Sequence, residues 1–62
     1  MLVRDLMTPD PVTVTGEVSV KEALARLARL GITSMPVVDG HRRLCGIVSE
    51  ADLIRDLVAR DP

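Results

Sequence analysis

Aromatic residues are absent: the 62-residue chain has no Phe, Trp or Tyr. It therefore lacks the stacking platforms on which proteins hold single-stranded nucleic acid. A basic excess is missing too, since eight Lys and Arg stand against nine Asp and Glu, a net charge of −1. Nucleic-acid modules draw on such an excess, so no nucleic-acid partner is expected. A single cysteine, Cys45, excludes an internal disulfide framework and fits a reducing compartment. Together with the single histidine, His41, it is too little for a Cys/His zinc site. No apolar run approaches the roughly 18 residues of a membrane-spanning helix, and the first residues lack the apolar stretch of a signal peptide. A cytoplasmic segment without membrane contact is expected.

What is present is a globular balance, with 47% apolar and 27% charged residues. The length allows one domain, and size scaling gives it a folded surface of roughly 3,900 Å². A core this small rarely supplies more than about 3–5 kcal/mol. Extra stability is expected from a partner or a ligand, since anything that binds the folded state alone favours it. Arginine outnumbers lysine seven to one, which hints at a GC-rich genome. Met1 so close to the first informative residues suggests either a prokaryotic stand-alone protein or the edge of a piece of a longer one.

Residues 2–8 are too short for a stable isolated helix, and Pro9 and Pro11 follow at once, so a helical turn leading into a loop is predicted. Val12-Thr13-Val14 alternates β-branched residues and reads as a short strand, with Thr15-Gly16-Glu17 as a turn. Ser19-Val20-Lys21-Glu22 has the spacing of a capping box. Val20, Ala23, Leu24, Leu27, Ala28 and Leu30 then follow helical periodicity up to Gly31, a left-handed stop. Ile32–Val38 reads as a buried strand with Pro36 expected at its start, because proline cannot donate to a ladder. Asp39–Arg43 is a polar turn, and Leu44–Val48 completes an antiparallel hairpin. Ser49 caps a last helix with Asp52 at its third position, an apolar stripe of Leu53, Ile54, Leu57 and Val58, and an end at Asp61-Pro62. The fold class is α/β (α+β), a two-layer β-α-β-β-α sandwich with both helices on one face of a small sheet.

Catalysis has little to stand on. Cys45 lies inside an apolar strand and is expected to be a small buried hydrophobe. His41 sits in a polar turn, and no phosphate loop or His pair is present. No nucleophile with a base and an orienting group can be assembled, so the segment is not expected to be an enzyme. Gly46-Ile47-Val48-Ser49-Glu50-Ala51-Asp52-Leu53 is the most informative stretch. Helix capping alone would justify Ser49 and Asp52 there. The same amides could also attract a phosphate, with Asp52 placed to accept from a ribose.

Together with Asp5-Leu6-Met7-Thr8-Pro9 and Ile32-Thr33-Ser34-Met35-Pro36-Val37-Val38-Asp39, that stretch resembles a CBS domain, the motif named after cystathionine β-synthase. The likeness covers essentially the whole chain, as a single motif over residues 1–62. It implies a β-α-β-β-α core, the element order read above from the residues. It also implies that two motifs pair into a Bateman module whose clefts bind AMP, ADP, ATP or S-adenosylmethionine. Carried over residue by residue, Asp52 matches the ribose-binding aspartate and Ser49 the hydroxyl that approaches ribose or phosphate. Ile32 and Ile47 match apolar positions flanking the base. Thr33 and Ser34 match the positions before the proline, Pro36, that face phosphate, and Val12 lies near the strand whose backbone reads the adenine edge.

The expected function is thus a non-catalytic regulatory module that binds an adenosyl ligand between paired motifs. No cofactor is required in this reading; an adenine nucleotide is the regulatory ligand. The partner is a second copy, forming a homodimer, or a second CBS motif. Leu24, Leu27 and Ala28 with Leu53, Ile54 and Leu57 supply the candidate pairing surface, and some of the six are expected to cover the sheet instead, which the sequence does not partition. A ligand-free dimerisation or scaffolding element of a larger protein is the alternative. Thr33, Ser34 and Ser49 are neutral donors, and Arg42, Arg43 and Arg55 read as solvated charges. AMP or a nucleoside is therefore expected to bind at least as well as ATP without added metal.

Overall fold

Ser19 starts the first helix by accepting the Glu22 amide on its Oγ at 3.1 Å. The helix, α1 (Val20–Leu30), ends at Gly31, whose φ of 66° is the left-handed stop that its lack of a Cβ allows. The reciprocal half of the expected capping box is not made, because Glu22 turns its carboxylate to Arg26 Nε at 3.1 Å. A carboxylate one helical turn before an arginine has a charged partner within reach, and that contact wins over the neutral amide.

The computed structural model describes residues 1–60. A single 3₁₀ turn over Val3–Asp5 precedes β1 (Val14–Thr15), α1, β2 (Ser34–Val38), β3 (Leu44–Ser49) and α2 (Glu50–Arg60). The expected end of α2 at Asp61-Pro62 lies outside the described residues. The strands form one sheet in the order β1-β2-β3, parallel between β1 and β2 and antiparallel between β2 and β3. The two-layer sandwich expected from the residue pattern is the fold observed.

Three local expectations are corrected by the pairing. Pro36 sits in the middle of β2, not at its start, and Val12 and Thr13 lie outside β1. One cause explains both. Val14 pairs with Val37, so the next step back would set Thr13 against Pro36. A proline brings no N–H to that ladder, and the parallel pairing goes no further. The third correction is Cys45, which is exposed. Val37 pairs with Gly46 while Val38 pairs with Leu44, and the bulge between them leaves Cys45 without a cross-strand partner. Its thiol points back to the Arg43 carbonyl at 3.6 Å.

The core is built from Val14, Ala23, Leu27, Met35 and Leu53, two residues from the sheet and three from the helices. Met35 and Val37 of β2 and Val48 of β3 face the helices, and the alternate residues turn to the other side of the sheet. Both helices cover one face. The other face stays open, with Leu44 72% and Ile47 71% exposed. Leu27 and Leu53, expected to help form a pairing surface, are instead spent on this core. No helix among the described residues is long and apolar enough to cross a membrane.

Candidate functional site

A groove of about 500 Å³ runs along the open face of the sheet. That volume suits a small-molecule ligand. One wall comes from the segment before β1, where Pro9 and Pro11 keep the chain out of helix. The facing wall is the link from α1 to β2, and the floor is the β2–β3 pair. Pro36 and Ile47 are direct cross-strand partners on that floor.

Val12, Ile32, Thr33, Ser34, Pro36 and Ile47 all line this groove. They come from three separate stretches of sequence, and the fold brings them together. Thr8, Asp10 and Pro11 also line it. The residue pattern places Thr8 at the end of the helical turn and Asp10 and Pro11 in the loop after it, and gives none of the three a ligand-binding role. Asp10 holds a left-handed backbone, φ 46°, which Asp tolerates better than most side chains. Nothing in the pattern announces that conformation.

Ser49 and Asp52 are not among the lining residues; they close on each other beside it. Ser49 Oγ accepts the Asp52 amide at 3.1 Å, and Asp52 Oδ2 accepts the Ser49 amide at 3.1 Å. This is a reciprocal cap, formed at α2 and not at α1. Ser34 of the groove is the cross-strand partner of Ser49, and the Glu50 amide donates to the Thr33 carbonyl at 2.8 Å. The start of α2 is thereby anchored to the Thr33 end of the groove.

The capping geometry shifts titration. The Ser49 hydroxyl, then the Ser49 amide and more weakly Arg55, hold the Asp52 carboxyl below its ordinary value. In the hairpin turn, the amides of Arg43 and His41 and then the Arg43 side chain do the same for Asp39. A carboxyl with a lowered folded pKa adds stability above its unfolded pKa, about 4, and loses it as pH falls through the folded value. The thermal midpoint is therefore expected to stay level from pH 7 to about 5 and to drop below about 4. Asp39→Asn with Asp52→Asn should lower the neutral plateau and flatten the acid limb, as measured by circular dichroism melts. An unchanged acid limb would contradict this assignment. Among the described residues, no group of His, Cys, Asp or Glu is placed to hold a metal ion.

Comparison with known proteins identifies the family and the fold. The family model described as CBS domain matches residues 3–59. An inosine-5'-monophosphate dehydrogenase from Korarchaeum cryptofilum is 42% identical over 53 residues, which is 86% of this chain and 11% of that protein. The crystal structure of CBSX2 in complex with AMP superposes with a TM-score of 0.91 at 30% identity, over 98% of this chain and 45% of that one. The CBS domain pair of protein MJ0100, in complex with 5′-methylthioadenosine and S-adenosyl-L-methionine, gives 0.89 at 31% identity, over 98% of this chain and 51% of that one. The chain thus spans about half of these solved chains and about a tenth of the relatives it matches by sequence.

Proposed function

The chain belongs to the CBS-domain family, and from that premise we propose that it is a regulatory module whose groove takes an adenosyl ligand and whose open sheet face packs against a second CBS motif. One observation carries this reading. Six of the eight residues that the family resemblance singles out, Val12, Ile32, Thr33, Ser34, Pro36 and Ile47, come from three separated places and line a single groove of about 500 Å³. The solved relatives hold AMP, 5′-methylthioadenosine and S-adenosyl-L-methionine, and the MJ0100 structure is of a domain pair. In this reading Val12, Ile32, Pro36 and Ile47 enclose the base. Thr33, Ser34 and Ser49 face the ribose or its 5′ substituent, and Asp52 accepts from the ribose diol. The segment itself is non-catalytic. A cytoplasmic location, where adenosyl metabolites circulate, goes with it.

Calorimetric titration with AMP, ADP, ATP and S-adenosylmethionine tests the proposal, and Asp52 refines it. Asp52→Ala should weaken a ribonucleoside ligand roughly 10- to 100-fold, the effect of removing a charged hydrogen-bond acceptor. The 2′,3′-dideoxy analogue should be affected little. Equal weakening of both at a temperature where the variant stays folded would refute the ribose role. The ligand-free scaffolding reading is favoured by one fact: Asp52 and Ser49 already satisfy each other within the chain. Absence of heat and of thermal stabilisation with all four compounds would select it.

A further inference from the structure

The chemistry at the two ends of the groove narrows the class of ligand further. Among the lining residues Asp10 alone carries a formal charge, and it is negative. At the other end, Thr33 meets the start of α2, where a helix would normally offer free amides to a phosphate. Three amides there are engaged: Glu50 donates to Thr33, Ser49 to Asp52, and Asp52 to Ser49. The first turn of α2 carries two carboxylates of its own, Glu50 and Asp52, which already answer the positive end of the helix. Arg55 Nη1 lies 3.7 Å from Asp52 Oδ1, paired with it. Arg42 lines an adjoining hollow with Asp10 and not the groove. A phosphate leaving water for this groove would exchange its hydration for neutral hydroxyls and the Asp10 carboxylate, with no cation among the lining residues to compensate.

Resting on the adenosyl reading above, we infer that this groove selects a phosphate-free adenosyl ligand, a thioether or sulfonium nucleoside, over AMP and ATP. Thr33 and Ser34, which face the 5′ substituent in that reading, are neutral and suit a group without phosphate charge. The Asp10 carboxylate attracts a sulfonium and repels a polyphosphate.

Titration of the chain with 5′-methylthioadenosine, S-adenosylmethionine, AMP and ATP without metal is the test. The thioether and the sulfonium compound are expected to bind at least about tenfold more tightly than ATP. The gap should narrow as salt rises from about 0.01 to about 0.15 M, because the Debye length contracts. Asp10→Asn removes the charge with a side chain that also tolerates a left-handed backbone. It should strengthen ATP by about threefold relative to 5′-methylthioadenosine. AMP or ATP binding more tightly than 5′-methylthioadenosine would overturn the inference while leaving the adenosyl reading intact. So would an Asp10→Asn variant with an unchanged ratio. Binding of none of the four compounds would instead overturn the adenosyl reading itself.

Discussion

Replacing Ile47 with lysine is expected to turn an associating chain into a monomer. Ile47 is 71% exposed on the open sheet face, on the edge strand β3 opposite Pro36 of the central strand. The molecule as a whole exposes more surface than its mass requires: 5130 Å², against roughly 3,900 Å² from size scaling. The radius of gyration, 13.1 Å, likewise exceeds the roughly 11 Å of a compact chain of this length. An excess of this order is comparable with the roughly 800 Å² that each partner buries in an ordinary interface.

Burying an isoleucine contributes about 1.5–3 kcal/mol, whereas a lysine at the same place would have to bury its charge. In a twofold dimer the substitution acts twice. The dimer dissociation constant should rise at least about 100-fold. Light scattering and sedimentation at micromolar concentration give the measurement. A wild-type chain that is monomeric and folds cooperatively under those conditions would refute self-association. Of the helical candidates for pairing, Leu27 and Leu53 are buried in the chain's own core and Ala28 and Ile54 remain exposed, while Leu44 and Ile47 are exposed on the sheet face.

Leu27→Ala should abolish stable folding of the isolated chain. Leu27 is 1% exposed and packs with Met35, at 0%, in the centre of the core. Truncating a buried leucine to alanine costs about 2–5 kcal/mol, the spread reflecting how far the cavity collapses. A domain of this size has about 3–5 kcal/mol in hand. Circular dichroism and urea titration at low concentration, where association adds least by mass action, should show a largely unfolded variant. Leu30→Ala serves as the control, since Leu30 is exposed on the same helix and its loss should shift stability by no more than about 0.5 kcal/mol. Similar midpoints for the two variants would contradict the packing described.

Features built from neighbouring residues are legible in the amino-acid sequence itself. Ser19, the apolar spacing after it and Gly31 define α1, because a helix closes its hydrogen bonds within four residues and its caps are local. The Asp39–Arg43 turn is equally local, organised by one carboxylate that accepts two amides. The spacing of Ser49 and Asp52 puts them at the start of α2, and capping accounts for their contacts. The residue pattern misleads where partners lie far apart in the chain. Whether Pro36 starts β2 or sits within it depends on how far β1 runs alongside, and β1 is more than twenty residues away. Cys45 is exposed because a bulge against Val37 and Val38 shifts the ladder, which an apolar run does not encode. Asp10 enters the groove through a left-handed backbone that puts it beside residues of β2 and β3. Short-range hydrogen bonding and periodicity thus set the elements and their order. Register between strands set the groove, its charge and the open face, since each is a sum of contacts between segments that meet only when the sheet closes.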